Sequence, residues 1–451
     1  MIDYIRLLFS LLVPFYLGYL IVALILNKEK DASALERIAL SYLIGTGALS
    51  YFIFILSWIG IKLGLFSIIV PLFILAVPLQ IAVVKKNAMF LGFKFKKTAP
   101  FSLIELSLLA YVALKLSYSV FEALVKPVTA CDAYVHHMMK AKAIFIDHTI
   151  SPSMLKYLNA GVGYPMNVPI NAAWTYFCLG QWNDALGQAI FPALFICAAL
   201  LLYASLSRYS SRSNSLLGVF MLTSLPLVVF HSTISYADLP VAIYNLAAVI
   251  FLFNYLKTMN TKYIWIASIL SACALWTKNE GMAYFLMNAA VLSIPVMIEH
   301  RNNKGYFLRT ISAYSTLPFL AAIGWGIFKI ASALPVAVSL ERSGMINYLE
   351  RVVPTINIFL WKIFLNGNWN ILWFILSLIV VFRFNGIIKD SSRYILLLII
   401  MNIAFYFIYY LTASPEIYSF VLDGTVLCRN LMTVSLIAVF FAAYNLPLND
   451  K

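Results

Sequence analysis

Acid, base and cation stand close together in three short polar motifs of an otherwise apolar chain. They are Cys131-Asp132-Ala133-Tyr134-Val135-His136-His137, Tyr236-Ala237-Asp238-Leu239-Pro240 and Thr277-Lys278-Asn279-Glu280-Gly281. A carboxylate such as Asp132 or Asp238 can take the proton of an attacking hydroxyl. A cation such as Lys278 can stabilise an anionic leaving group. Asp132 and His136 are four residues apart, the spacing that puts two side chains on one helix face. Each motif also has a purely structural reading. Asp132 and Asp238 can each cap the helix they open, and Pro240 suits a first helical turn. Lys278 and Glu280 can form a weak ion pair in a solvated hairpin. Capping leaves His136 and His137 unexplained, and a charged group at a membrane boundary is costly unless it faces water, a cavity or a partner.

The elements that must position these groups are membrane helices. Of the 451 residues 63% are hydrophobic and only 11% charged. A soluble domain carries about 25% charged residues, and here apolar runs long enough to cross a bilayer recur from end to end. The chain reads as an all-α polytopic membrane protein. Hydropathy gives about thirteen transmembrane helices. The first runs from Tyr4 to Leu26, too long for the apolar core of a cleavable leader. The five cysteines form no C-x-x-C pair, so neither a zinc site nor a redox motif is indicated.

Charge sets the orientation. Lys85, Lys86, Lys94, Lys96 and Lys97 crowd one connection, which belongs in the cytoplasm. Alternation then puts Arg208 and Arg212, Lys257 and Lys262, and Arg301, Lys304 and Arg309 on the same side. The N-terminus lies outside, the C-terminus inside, and all three motifs fall at outer helix ends. The net charge of +14 is thus an anchor in the cell membrane, facing the cytoplasm, and does not imply nucleic acid. Residues 1–100 read as an N-terminal three-helix extension. Residues 101–331 form the core, with a first outer loop over 126–184. Residues 332–451 form a C-terminal region, with a second outer loop over 332–368.

Both loops carry candidate amphipathic surface helices. Over Ala133–Ile146, Tyr134, Met138, Ala141 and Ile144 recur three to four residues apart. A second stretch runs through Trp174 to Trp182. In the second loop, Ser339-Leu340-Glu341-Arg342-Ser343-Gly344 leads into a helix over Met345–Val353. Arg342 and Arg351 can meet an anion or line a solvated face. Arg429 opens the last span at its outer end, against the positive-inside pattern. It can bind phosphate bidentately or snorkel to headgroups.

In this order and spacing, the three motifs and the helices after Asp132 resemble those of polyprenyl-phosphate-sugar-dependent glycosyltransferases with the C-type membrane fold. That group includes the dolichyl-phosphate-mannose protein mannosyltransferases and the lipid A aminoarabinose transferases. The resemblance covers roughly residues 100–300 and extends weakly into the C-terminal third. It departs from many members in placing three spans before the first motif and in lacking a C-terminal soluble domain.

The resemblance implies transfer of a sugar from a polyprenyl-phosphate donor to a protein, lipid or glycan acceptor on the non-cytoplasmic face, with inversion. Asp132 and Asp238 would be the catalytic carboxylates, with Asp132 as the base. Lys278, Arg429 and Arg342 would receive the phosphate. His136, His137 and Glu280 would support them. No cofactor is required, although Asp132, His136, His137 and Asp238 are ligand types compatible with a divalent metal. Besides donor, acceptor and membrane lipid, no partner is implied. The alternatives are a flippase of lipid-linked glycan, which would carry its polar groups near the bilayer midplane, and a glycan polymerase or ligase.

Overall fold

The structure is a computed structural model that describes residues 1–27, 29, 32–88, 100–158, 161–299, 303–334 and 348–446. Among these there is no strand, and the chain is an all-α, multi-pass membrane protein. It opens with α1 (Ile2–Ile25), α2 (Ala34–Trp58), α3 (Leu65–Lys85) and α4 (Leu103–Val125). Ser33 caps α2 by accepting the Glu36 N–H, and Ser102 and Glu105 cap α4 reciprocally. A π-helical turn, Ala133–Met138, then runs into α5 (Met139–Asp147), followed by α6 (Pro152–Leu158), α7 (Asn167–Leu179) and α8 (Asp184–Gly187). Next come α9 (Ile190–Tyr209), α10 (Arg212–Ser224), α11 (Pro226–His231), α12 (Asp238–Thr258), α13 (Thr261–Thr277), α14 (Glu280–Glu299) and α15 (Lys304–Ala331). The C-terminal region holds α16 (Tyr348–Leu360), a second π-helical turn (Trp361–Leu365), α17 (Leu372–Lys389), α18 (Ser392–Thr412), α19 (Pro415–Leu422) and α20 (Thr425–Asn445).

Eleven helices among the described residues are long and apolar enough to cross a membrane. Two of the thirteen expected spans differ in form. The stretch 214–230 is broken into α10 and α11, because Leu225 is extended before Pro226. The stretch 263–277 falls within α13, which has 17 residues.

The centre of the bundle is α12 and α20, whose apolar windows are 94% and 89% buried. They contact each other, and α9, α13, α14, α17 and α18 surround them. By contrast α3 and α4 bury only 22% and 17%, so their large exposed side chains meet lipid. Of the expected amphipathic stretches of the first loop, the first buries one face only, with Tyr134 and Ile146 exposed, whereas in the second α7 is enclosed by protein. In α5, Ala141 and Ile144 are buried, and Phe145 packs edge-on or tilted against Tyr176 and Phe177 of α7. Every residue of α7 is buried, between α1, α2, α5 and α13. Its Trp174 donates to Ser10 O in α1 at 2.9 Å rather than lying at a lipid surface.

Candidate active site

The first motif is carried by the π-helical turn. Its wider ring places Asp132 and His136 on one side, with Asp132 Oδ1 3.9 Å from His136 Nε2. Asp238 is the first residue of α12, Lys278 follows the last residue of α13, and Arg429 lies in the first turns of α20. These helix ends meet. Arg429 Nη1 donates to Asp132 Oδ2 at 2.6 Å, and its Nη2 donates to Asp238 Oδ2 at 3.2 Å. Lys278 Nζ donates to Asp238 Oδ1 at 3.0 Å and pairs with Glu280 at 2.6 Å. The guanidinium of Arg429 stacks on the Tyr236 ring at 4.8 Å. One unbroken chain of charge therefore runs Asp132–Arg429–Asp238–Lys278–Glu280.

This geometry decides the readings left open by spacing. Neither Asp132 nor Asp238 makes a side-chain cap, since both point to cations. Arg429 does not snorkel but turns inward. The Lys278–Glu280 pair is not a solvated hairpin, because the Lys278 side chain is only 12% exposed. Burial alone would lower the Lys278 pKa, but the carboxylates of Asp238 and Glu280 outweigh it and hold the ammonium charged. The turn that presents Lys278 is tight. A Cβ on Gly281 would lie 2.4 Å from Ala274 O, so only glycine lets α14 start this close to α13.

The two carboxylates are unequal. The Asp238 side chain is 2% exposed and has both oxygens on cations. The Asp132 side chain is 33% exposed and has one oxygen on Arg429, with Oδ1 turned towards His136. Between them lies a cavity of about 50 Å³ lined by Asp132, His136, His137, Tyr164, Asp238, Thr277, Lys278 and Arg429. His137 is buried, and burial, with Lys140 nearby, pushes its pKa down to about 3, so the ring is neutral. Its Nδ1 has no hydrogen-bond partner among the described residues.

Polar groups also support the cavity from inside the bundle. Asn167 Nδ2 donates to Thr277 Oγ1 at 2.7 Å, and its Oδ1 accepts from Ser50 Oγ at 2.6 Å and Asn171 Nδ2 at 2.8 Å. Trp276 Nε1 completes the set by donating to Ser50 Oγ at 2.9 Å. Helices α2, α7 and α13 are thus tied together directly behind Lys278. The other wall is a short glycine turn. Gly161 has φ +57°, and a Cβ there would meet the Tyr164 ring at 2.3 Å and His136 Nδ1 at 3.0 Å. Its carbonyl accepts from Lys140 Nζ at 2.6 Å.

Lys140 is 1% exposed, and burial pushes its pKa down to about 8 from an ordinary 10.5. Between these values the unfolded chain binds more protons than the folded one, so stability rises with pH across that window. Melting temperature measured from pH 8 to 10.5 should therefore climb in the wild type relative to Lys140→Met. Parallel curves for the two proteins would show that Lys140 is charged in the fold throughout.

Seven of the sequence-based candidates, Asp132, Asp238, Lys278, Arg429, His136, His137 and Glu280, come together. Arg342, with Ser339–Gly344, lies outside the described residues. Arg351 is drawn elsewhere. Its Nη1 donates to Ala413 O at 2.6 Å and Leu411 O at 3.3 Å, so it closes the end of α18. The motifs quoted from sequence include Tyr236 and Thr277 without a role for either, and the sequence reading missed Tyr164, Asn167 and the buried His231, whose ring stands 5.3 Å from that of Tyr236. The one available signal was His231-Ser232-Thr233, a polar step just before the Asp238 motif.

Among the described residues no group of three or more His, Cys, Asp or Glu side chains is placed to hold a metal ion. The Asp132 and Asp238 carboxylates face Arg429 and Lys278. No protein-family model matches the chain, and neither a curated protein nor a solved structure does.

Proposed function

We propose that the chain is a membrane glycosyltransferase that moves a sugar from a polyprenyl-phosphate donor to an acceptor hydroxyl, with inversion at the anomeric carbon. The observation that carries this reading is one arginine bridging two carboxylates of unequal burial, beside a lysine, around a cavity at the ends of membrane helices. Displacement at an anomeric carbon needs a base for the acceptor and cations for the leaving phosphate. Asp132, with the more accessible carboxylate, is the base. The acceptor oxygen bonds to the anomeric carbon as the bond to the phosphate oxygen breaks, and that electron pair stays on the phosphate. The hydroxyl proton goes to Asp132 and then to water. Arg429 and Lys278 receive the phosphate, and Asp238 holds both cations in place. His136 orients Asp132.

In this reading the thirteen-span topology applies, with the N-terminus outside, the C-terminus inside, and the site on the outer face of the cell membrane. The donor's polyprenyl chain lies in the bilayer and its phosphate at headgroup level. Acceptors are a protein, a lipid or a glycan, and no cofactor is needed. The test is incubation of the purified protein with a panel of radiolabelled polyprenyl-phosphate sugars. Release of lipid phosphate with sugar moved to water or an acceptor is expected. Binding without turnover, together with movement of the lipid between leaflets in proteoliposomes, would make the chain a transporter instead.

A further inference from the structure

We propose that the Asp132–Arg429 ion pair is a latch: the phosphate of an incoming lipid-linked donor replaces the Asp132 carboxylate on the guanidinium, which opens the cavity and frees Asp132 for the acceptor. The proposal rests on the lipid-phosphate reading given above.

Space is the first reason. A cavity that takes up benzene measures about 150 Å³, so a cavity of about 50 Å³ holds water but not a sugar and its phosphate. Something lining it must move. The walls made by Asp238 and Lys278 are the least free to do so. Asp238 is almost fully buried and held by two cations, and Lys278 is held by two carboxylates. Asp132 is one-third exposed, and among the described residues its ionic contacts are Arg429 at 2.6 Å and His136 at 3.9 Å.

Hydrogen bonding is the second. Both terminal nitrogens of Arg429 are committed to carboxylates, while its buried Nε has no partner among the described residues. A phosphate that takes Nη1 from Asp132 makes the charge-assisted bond that Asp132 now makes, while Nε lies on the other edge, beside the Nη2 that Asp238 holds. Charge is the third. Asp132, Asp238 and Glu280 already outnumber Arg429 and Lys278. An added phosphate would crowd a further negative charge onto one guanidinium, and repulsion acts most easily on the more exposed carboxylate. Donor binding thus precedes acceptor activation, so Asp132 is not released towards water in the empty site.

The test is binding of a long-chain polyprenyl monophosphate to detergent-purified protein, with the uncharged polyprenol as control. Asp132→Asn replaces the ion pair on Arg429 with a weaker neutral contact and should bind the phosphate about tenfold more tightly, or about 1.4 kcal/mol, with polyprenol affinity unchanged. In an Arg429→Lys background the same substitution should give a much smaller gain, because lysine cannot bridge the two sites. An equal gain in both backgrounds would mean simple removal of a negative charge and would overturn the latch, as would no gain at all. Infrared difference spectra of the wild type give a readout independent of how Arg429→Lys folds. Phosphate binding should shift a carboxylate stretch that Asp132→Asn removes, and absence of that band also overturns the latch. Failure of the wild type to prefer the phosphate over the polyprenol sinks both the latch and the lipid-phosphate reading. A wild-type preference without the Asp132→Asn gain sinks the latch alone.

Discussion

Asp238→Ala is expected to destabilise the protein by about 3–5 kcal/mol, the cost of breaking a buried ion pair by removing one partner. The Asp238 side chain is 2% exposed and accepts from Lys278 at 3.0 Å and Arg429 at 3.2 Å. Without it, both cations keep one carboxylate each but lose the group that fixes their separation. A control lies at the end of α4, where Lys126, just past the helix, and Glu122 pair at 3.3 Å with side chains 49% and 26% exposed. Glu122→Ala should cost less than about 1 kcal/mol, as exposed pairs do. Thermal melting in detergent compares the two. Equal losses would mean that Asp238 is hydrated and does not organise the site.

Asp132→Asn should leave the fold intact, because Asn keeps the shape and an oxygen for Arg429 Nη1 while losing the charge. The catalytic effect should be large. General-base assistance contributes on the order of a hundred- to ten-thousand-fold, and an amide cannot accept the acceptor's proton. Turnover should fall by that range while donor binding is retained or strengthened. A purely structural role would instead lower melting temperature, binding and turnover together.

The membrane class and the three motifs were legible because they rest on residue type and order. Apolar runs read directly as helices. What spacing could not supply was the partner of each charge. Arg429 lies 297 residues from Asp132 and 191 from Asp238 in sequence, and only packing of α20 against α12 makes it a bridge. The same holds for α7. Its Trp174 and Tyr176 read as an interfacial face, yet neighbours on several sides bury the helix completely, and its Asn167 and Asn171 serve the network behind Thr277. The break at Pro226 was visible as a residue, but an apolar run on both sides masks it in hydropathy.

The most direct measurement is sugar transfer from a radiolabelled polyprenyl-phosphate donor by wild type and Asp132→Asn, with donor affinity measured on the same samples. Transfer or donor hydrolysis by the wild type, lost in Asp132→Asn with affinity retained and melting unchanged, is the expected result. Undiminished turnover by Asp132→Asn would contradict the assignment of the base. A wild type that binds the donor but never cleaves it would contradict the enzyme.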